Sequence, residues 1–297
     1  MDEQKAGNRE EDNNQKKYAF FPGCLIPIRL PLFEKLSRDF VTNLGVELID
    51  MDFTCCPNYN IRDRNRFLWL VAAARNLAIA ERGKLDILTL CGECTQTLKA
   101  ANELLKDKIL LLKVNKELEK INVQYNGTVK IKHILELFYE SKEKLTGFVK
   151  KPLEALKVST HTGCHLLRPS AMLKFDDAEN PKKLDELSSI LGCQVIDYST
   201  KTLCCGVAVF ADYKDSVLES VKEKINDIRA DALIVGCATC FLQYNKAQLI
   251  LKTDLPVLHY IQLLGLANGF SLEEIGYNSI NRIKNKAFEE KLNITVP

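Results

Sequence analysis

No stretch of this 297-residue chain is both long and apolar enough to cross a bilayer. The best candidate, Leu68 to Ala80, spans 13 residues and is broken by Arg75 and Asn76, well short of the roughly 20 apolar residues that a membrane helix needs. A secretory signal core is also missing: residues 1–16 mix both charge signs with Asn, Gln and Gly and read as a flexible tail. A dominant charge is lacking as well, because 41 Lys+Arg against 39 Asp+Glu leave a net +2, which gives no electrostatic reason to expect nucleic acid as a partner. No Gly-x-Gly-x-x-Gly follows a strand-like run, so neither NAD nor a flavin is expected on this chain. A cytoplasmic protein is the expectation. In that reducing compartment clustered cysteines point to metal or redox chemistry more than to disulfides.

What is present is 11 Cys, too sparse for a disulfide scaffold in a chain able to bury its own core. Ten of them fall in an order written twice. Cys24, Cys55-Cys56 and Cys91-x-x-Cys94 are followed by Cys164, Cys204-Cys205 and Cys237-x-x-Cys240, with spacers of 30 and 34 residues, then 39 and 31. The flanks agree too: KYAFFPGC with KVSTHTGC, LGVELIDMDFTCC with LGCQVIDYSTKTLCC, LDILTLCGEC with ADALIVGCATC, and KHILEL with LHYIQLL. A duplication follows, with a first domain over 17–150, a second over 151–277, a linker near Phe148 to Pro152 and a C-terminal tail over 278–297.

Short β-rich runs at 18–22, 46–51, 86–90, 157–161, 194–198 and 231–235 each lead toward a cysteine. Helical patterns such as Thr97 to Lys106 and Ser216 to Arg229 follow them. The second helix repeats Val217, Leu218, Val221, Ile225 and Ile228 on one face. Alternating strands and helices predict α/β domains with parallel sheets, whose ligand sites lie beyond the carboxyl ends of the strands. Five thiols per copy would converge there. Zinc takes four ligands and so does a cubane iron-sulfur cluster, so the fifth sulfur points to a cluster of altered shape or to an exchangeable ligand.

These residues resemble the B-type subunit of heterodisulfide reductase, a family with two cysteine-rich CCG domains. The likeness covers about residues 17 to 277, including FFPGC, LTLCGEC, GCHLLRPS and LPVLHYIQLLGLANG. It implies two Rossmann-like CCG domains related by internal duplication, each binding a noncubane [4Fe-4S] cluster through five cysteines. Those are Cys24, Cys55, Cys56, Cys91 and Cys94 for one cluster, and Cys164, Cys204, Cys205, Cys237 and Cys240 for the other. It further implies an oxidoreductase acting on a sulfur group, which cleaves the disulfide of coenzyme M and coenzyme B between facing clusters. Electrons would arrive through a C-type iron-sulfur subunit from an A-type, flavin-containing one. Two departures from the family pattern, CCPNYN and CCGVAVFADY, place Val207, Ala208, Val209 and Phe210 where they would reshape the pocket. Relatives in sulfur-oxidising complexes, and CCG-type electron carriers in lactate, glycolate and succinate oxidoreductases, supply the alternative readings.

Among the other residues, His165 follows Cys164 and is the candidate proton donor to a product thiolate. Arg168 is a candidate for an anionic substrate group. His133 and His259 occupy matched positions and read as fold residues, Trp69 reads as core, and Cys193 reads as a buried, inert thiol. The Lys-rich stretch from Lys99 to Lys120 reads as a solvated helix face.

Overall fold

The computed structural model of the chain describes residues 15–294. Most of the expected N-terminal tail, residues 1–14, lies outside the described residues, as do 295–297. The first half forms a four-stranded sheet of β1 (Lys17–Phe21), β2 (Glu47–Asp50), β3 (Asp86–Thr89) and β4 (Ile131–His133), in the order β2-β1-β3-β4. The second half repeats it with β5 (Lys157–His161), β6 (Gln194–Val195), β7 (Ala232–Val235) and β8 (Val257–His259), in the order β6-β5-β7-β8. Every pairing is parallel, from Tyr18↔Asp86 to Phe21↔Thr89 in one sheet and from Val158↔Ala232 to His161↔Val235 in the other. Parallel strands are covered on both faces, which is why β7 reads ALIV and is buried throughout. The fold is α/β and duplicated.

Both sheets reverse direction at the same place. The chain moves outward from β1 to β2, then returns to lay β3 on the other side of β1, and β5, β6 and β7 do likewise. Such a reversal opens a crevice at the carboxyl ends of the central strands. Cys24 and Cys91 follow β1 and β3, and Cys164 and Cys237 follow β5 and β7.

Some sequence expectations shift. The strands β4 and β8 are not anticipated by the pattern, because they are three residues long and merge with the starts of the helices after them. Each delivers a histidine, His133 or His259, that caps the next helix: ring Nδ1 accepts from the N–H of Leu135 or Ile261, while Glu136 or Gln262 closes the box from the third helical position. Expected positions 217, 218, 221, 225 and 228 are all buried, although the helix is Lys214–Asp227 and Ile228 caps it. Trp69 is core. The segment 278–297 is not a free tail where it is described: helix Lys286–Ile294 buries Phe288 and Leu292, and Asn281 donates to the Val257 carbonyl at 2.6 Å. Apolar residues spaced along that helix supply a face that the rest of the domain covers. Lys99 is also not solvated, since it pairs with Glu136 at 2.8 Å and reaches the Leu173 carbonyl, whereas Lys106, Lys108, Lys113, Lys116 and Lys120 are exposed as expected.

The halves pack in reciprocal fashion. Gly92, on the helix Gly92–Leu104 of the first half, faces His165 and Leu166 on the Cys164–Leu167 turn of the second. Gln96 on that helix donates to the Arg168 carbonyl at 2.7 Å. From the first half, the Phe33 ring meets Phe241 at 5.1 Å and stacks on His259 at 4.9 Å. The linker is tied down, with the Lys150 and Lys151 N–H groups both donating to the Ala267 carbonyl.

Candidate functional site

Two glycines show how the chain is shaped for sulfur. Gly23 and Gly163, each just before the first cysteine of its set, have φ of +77° and +98°, a region that L side chains avoid. A Cβ at Gly23 would lie 3.0 Å from Cys94 Sγ, and one at Gly163 would lie 3.1 Å from the Cβ of Cys237. The Cys-x-x-Cys pairs open helices. Cys91 and Cys237 are the N-cap residues, with nearly identical extended backbones, and Cys94 and Cys240 sit one turn in. Helix N-termini stabilise negative sulfur.

The ten thiols form a single row. Cys24 Sγ lies 3.2 Å from Cys55, whose neighbour Cys56 lies 3.0 Å from Cys94. In the second half Cys164 is 3.8 Å from Cys204, and Cys205 is 3.4 Å from Cys240. Across the middle, Cys91 and Cys237 lie near enough to shift one another, Cys91 upward and Cys237 downward. Cys24, Cys55 and Cys204 are exposed and Cys164 is half-buried, while the inner six are buried. The row therefore has a buried centre and open ends. Neighbouring sulfurs split their protons: Cys56 is held down by Cys55 and Cys94, and Cys204 by Cys164 and Cys205, whereas burial pushes Cys24 up to about 11. Among the described residues, no three His, Cys, Asp or Glu side chains gather about one ion-sized point. Five soft donors spread along each half of the row suit a group larger than a single ion.

The Cys-Cys loops are pinned from behind by residues that the sequence pattern does not single out. In the first half Asn76 accepts from the N–H and hydroxyl of Thr54 and donates to the Cys55 carbonyl. In the second half Lys224 takes this part: its Nζ donates to the carbonyls of Leu203 (2.8 Å) and Lys201 (3.0 Å) and to His161 Nδ1 (3.1 Å). Burial lowers Lys224 to about 8, so it stays charged at neutral pH, and lowers His161 to about 3. A lysine at the helical spacing of the buried apolar stripe, one turn from Val221, was the available signal.

His165 is half-buried on the turn that carries Cys164, beside Gly92 of the other half. Arg168 is engaged within the chain, by the Ala178 carbonyl at 3.1 Å and Glu179 at 3.2 Å. Cys193 is buried away from the row and pushed up to about 12 by desolvation. Val207 to Val209 form a 3-10 turn after Gly206, whose N–H donates to Cys204 Sγ at 3.3 Å, and Val209 is exposed. A cavity of about 690 Å³ lined by Asp231, Asp254 and Phe288 lies at the amino ends of β7 and β8, away from the thiols.

A duplicated α/β fold with five cysteines at the same sheet edge in each copy defines a tandem cysteine-rich-domain protein, and the sequence profile of the CCG cysteine-rich domain matches residues 18–99 and 158–245. The chain is 36% identical over 292 aligned residues to the B-type subunit of the ferredoxin:CoB-CoM heterodisulfide reductase of Methanosarcina mazei, covering 93% of this chain and 97% of that one. It belongs to the family of heterodisulfide reductase B-type subunits. It is also 34% identical to the 8-methylmenaquinol:fumarate reductase membrane anchor subunit of Wolinella succinogenes, over 89% and 96% of the two chains. A hypothetical protein from Helicobacter pylori shares the fold, with a TM-score of 0.70 and 17% identity over 91% of this chain and 53% of that one. Among the described residues no helix is long and apolar enough to cross a membrane.

Proposed function

We propose that this chain is the disulfide-reducing iron-sulfur subunit of a cytoplasmic heterodisulfide reductase complex, acting on the disulfide of coenzyme M and coenzyme B. Cys24, Cys55, Cys56, Cys91 and Cys94 would hold one noncubane [4Fe-4S] cluster, and Cys164, Cys204, Cys205, Cys237 and Cys240 the other. When bound, such clusters supply electrons one at a time to a sulfur-sulfur bond. The observation that carries the reading is the matched pair of sulfur contacts in each half, Cys24–Cys55 and Cys56–Cys94, then Cys164–Cys204 and Cys205–Cys240, with buried inner thiols and open outer ones.

Reducing a disulfide consumes two electrons and two protons and yields two thiols. The duplicated halves give two one-electron sites, which matches the stoichiometry of the bond. The residues of the chain hold the sulfurs in place through Gly23, Gly163, Asn76 and Lys224, and keep Cys24, Cys55 and Cys204 at the surface, which would let a small disulfide reach the groups they hold. His165, on the turn after Cys164, would pass a proton to a departing thiolate. Electrons would enter through a C-type iron-sulfur subunit fed by an A-type, flavin-containing one.

The test is anaerobic reconstitution of the full chain with iron and sulfide, followed by thiol release from the mixed disulfide with reduced viologen as donor. Two four-iron clusters per chain and two thiols per disulfide are expected, and Cys205→Ala should remove one cluster and the thiol release together. Stoichiometric zinc without iron overturns the reading. Loaded clusters that exchange electrons with viologen yet release no thiol would replace it with an electron-relay role, which the likeness to the Wolinella membrane anchor supports.

A further inference from the structure

The two halves repeat each other in strand order, cysteine spacing and helix caps, so the places where they differ in charge stand out. One such difference lies behind the second cysteine set. At the end of β5 stands His161, where the matched position of β1 carries Phe21, packed on Phe53 at 4.9 Å. On the helix behind the Cys-Cys loop stands Lys224, doing with an ammonium what Asn76 does with a neutral amide in the first half.

Lys224 is 1% exposed. Its three acceptors, two carbonyls and the His161 ring, match the three N–H donors of an ammonium. It also lies over the Tyr198 and Tyr244 rings, 5.6 and 5.9 Å from their centroids, and the thiols of Cys240, Cys205 and Cys204 help to hold its proton against the pull of burial. Around the same set sit three buried polar atoms without a hydrogen-bond partner among the described residues: His161 Nε2, Tyr244 Oη and Thr162 Oγ1. His161 Nδ1 lies 3.1 Å from Lys224 Nζ and 3.2 Å from the Lys201 carbonyl, and in the tautomer in which it accepts from Lys224 its Nε2 carries the proton as a donor. At the first set the matched positions are Phe21 and Pro22, which offer no side-chain donor.

We infer that Lys224, with His161 and Tyr244, is a positioning and charge-supplying device that makes the two redox sites inequivalent, so that the group held by the second cysteine set is the more easily reduced of the pair. A reduced cluster carries one more negative charge, and a fixed cation or hydrogen-bond donors beside its sulfurs stabilise that state and raise its potential. Holding the Cys-Cys loop does not itself require a charge, because Asn76 manages it without one. The inference rests on the proposed iron-sulfur reading, with the first electron settling on the second half.

The experiment is an anaerobic redox titration of the reconstituted full chain, followed by electron paramagnetic resonance, for wild type, Lys224→Gln and Tyr244→Phe. The second-site couple is the one that Cys205→Ala abolishes. In wild type it is expected above the other. Lys224→Gln keeps donors for the two carbonyls and should lower that couple alone by at least about tenfold in its equilibrium constant, roughly 59 mV for one electron. Tyr244→Phe, nearly isosteric, should move it the same way by less, and carries the test if Lys224→Gln fails to load iron. Unmoved couples, or equal shifts in both, overturn the inference while leaving the iron-sulfur reading intact. Absence of iron from the wild-type chain removes both.

Discussion

Asn76 shows how much a single side chain can matter at a thiol site. It is fully buried in the helix Arg66–Arg82, and its amide meets three groups on the loop that carries Cys55: the Thr54 N–H at 2.9 Å, the Thr54 hydroxyl at 3.2 Å and the Cys55 carbonyl at 3.4 Å. In the sequence it reads as a polar interruption of an apolar run, because nothing local reveals that a loop some twenty residues earlier folds back onto it. Asn76→Ala leaves those groups unpaired against a dry helix, at a cost of about 1–3 kcal/mol. Equilibrium urea unfolding should show that loss, and iron binding should weaken at the first cysteine set while the second set, pinned by Lys224, loads normally. Equal loss of iron at both sets would mean that Asn76 supports the fold and not the loop.

At the scale of elements, legibility followed chemistry and length. The cysteine order was readable because each thiol group follows a strand of four or five residues, or its short equivalent in β6, and strands of that kind leave a β-branched, apolar trace. β4 and β8 escaped because three residues are too few to show a period of two, and the helices they lead into dominate the pattern. Their role lies in the caps. His133 and His259 are neutral when folded, with burial holding them at about 3 and about 4, against 6.5 in an unfolded chain. Below pH 6.5 the unfolded chain therefore takes up protons that the folded one refuses. Their contribution is complete above that pH and drains away as pH falls toward 4 and then 3. Each should add about 1.4 kcal/mol per pH unit to the slope of stability in that window. His133→Asn keeps a good cap and removes one titrating group. Urea melts of the metal-free chain between about pH 5 and 7.5 should give the variant a slope shallower by that amount on the acid side, and an unchanged slope would assign the acid sensitivity elsewhere.

For the whole molecule, the duplication predicted two copies of one fold but not how they meet, since contacts between halves leave no period in the sequence. The meeting is reciprocal: the helix after each Cys-x-x-Cys packs near the turn after the first cysteine of the other half, and the row of thiols closes at Cys91 and Cys237 as a result. A site assembled this way exists only while the halves stay docked. Phe33 is central to the docking, 1% exposed and in contact with both Phe241 and His259 from the second half. Phe40 adds a second aromatic bridge, 6.0 Å from both Phe148 and Phe270. Truncating a buried phenylalanine to alanine costs about 3–5 kcal/mol. When that loss falls on an interface between two cores, it weakens the coupling between them more than either core alone. The wild-type chain should therefore unfold in one cooperative transition, with fluorescence of Trp69 in the first half and far-ultraviolet circular dichroism superimposing. In Phe33→Ala the two signals should separate, because Trp69 reports only the first half while the second keeps its own sheet and the packed helix Lys286–Ile294. Signals that still coincide, at a lower midpoint, would mean that the halves form a single core whose cooperativity does not depend on this ring.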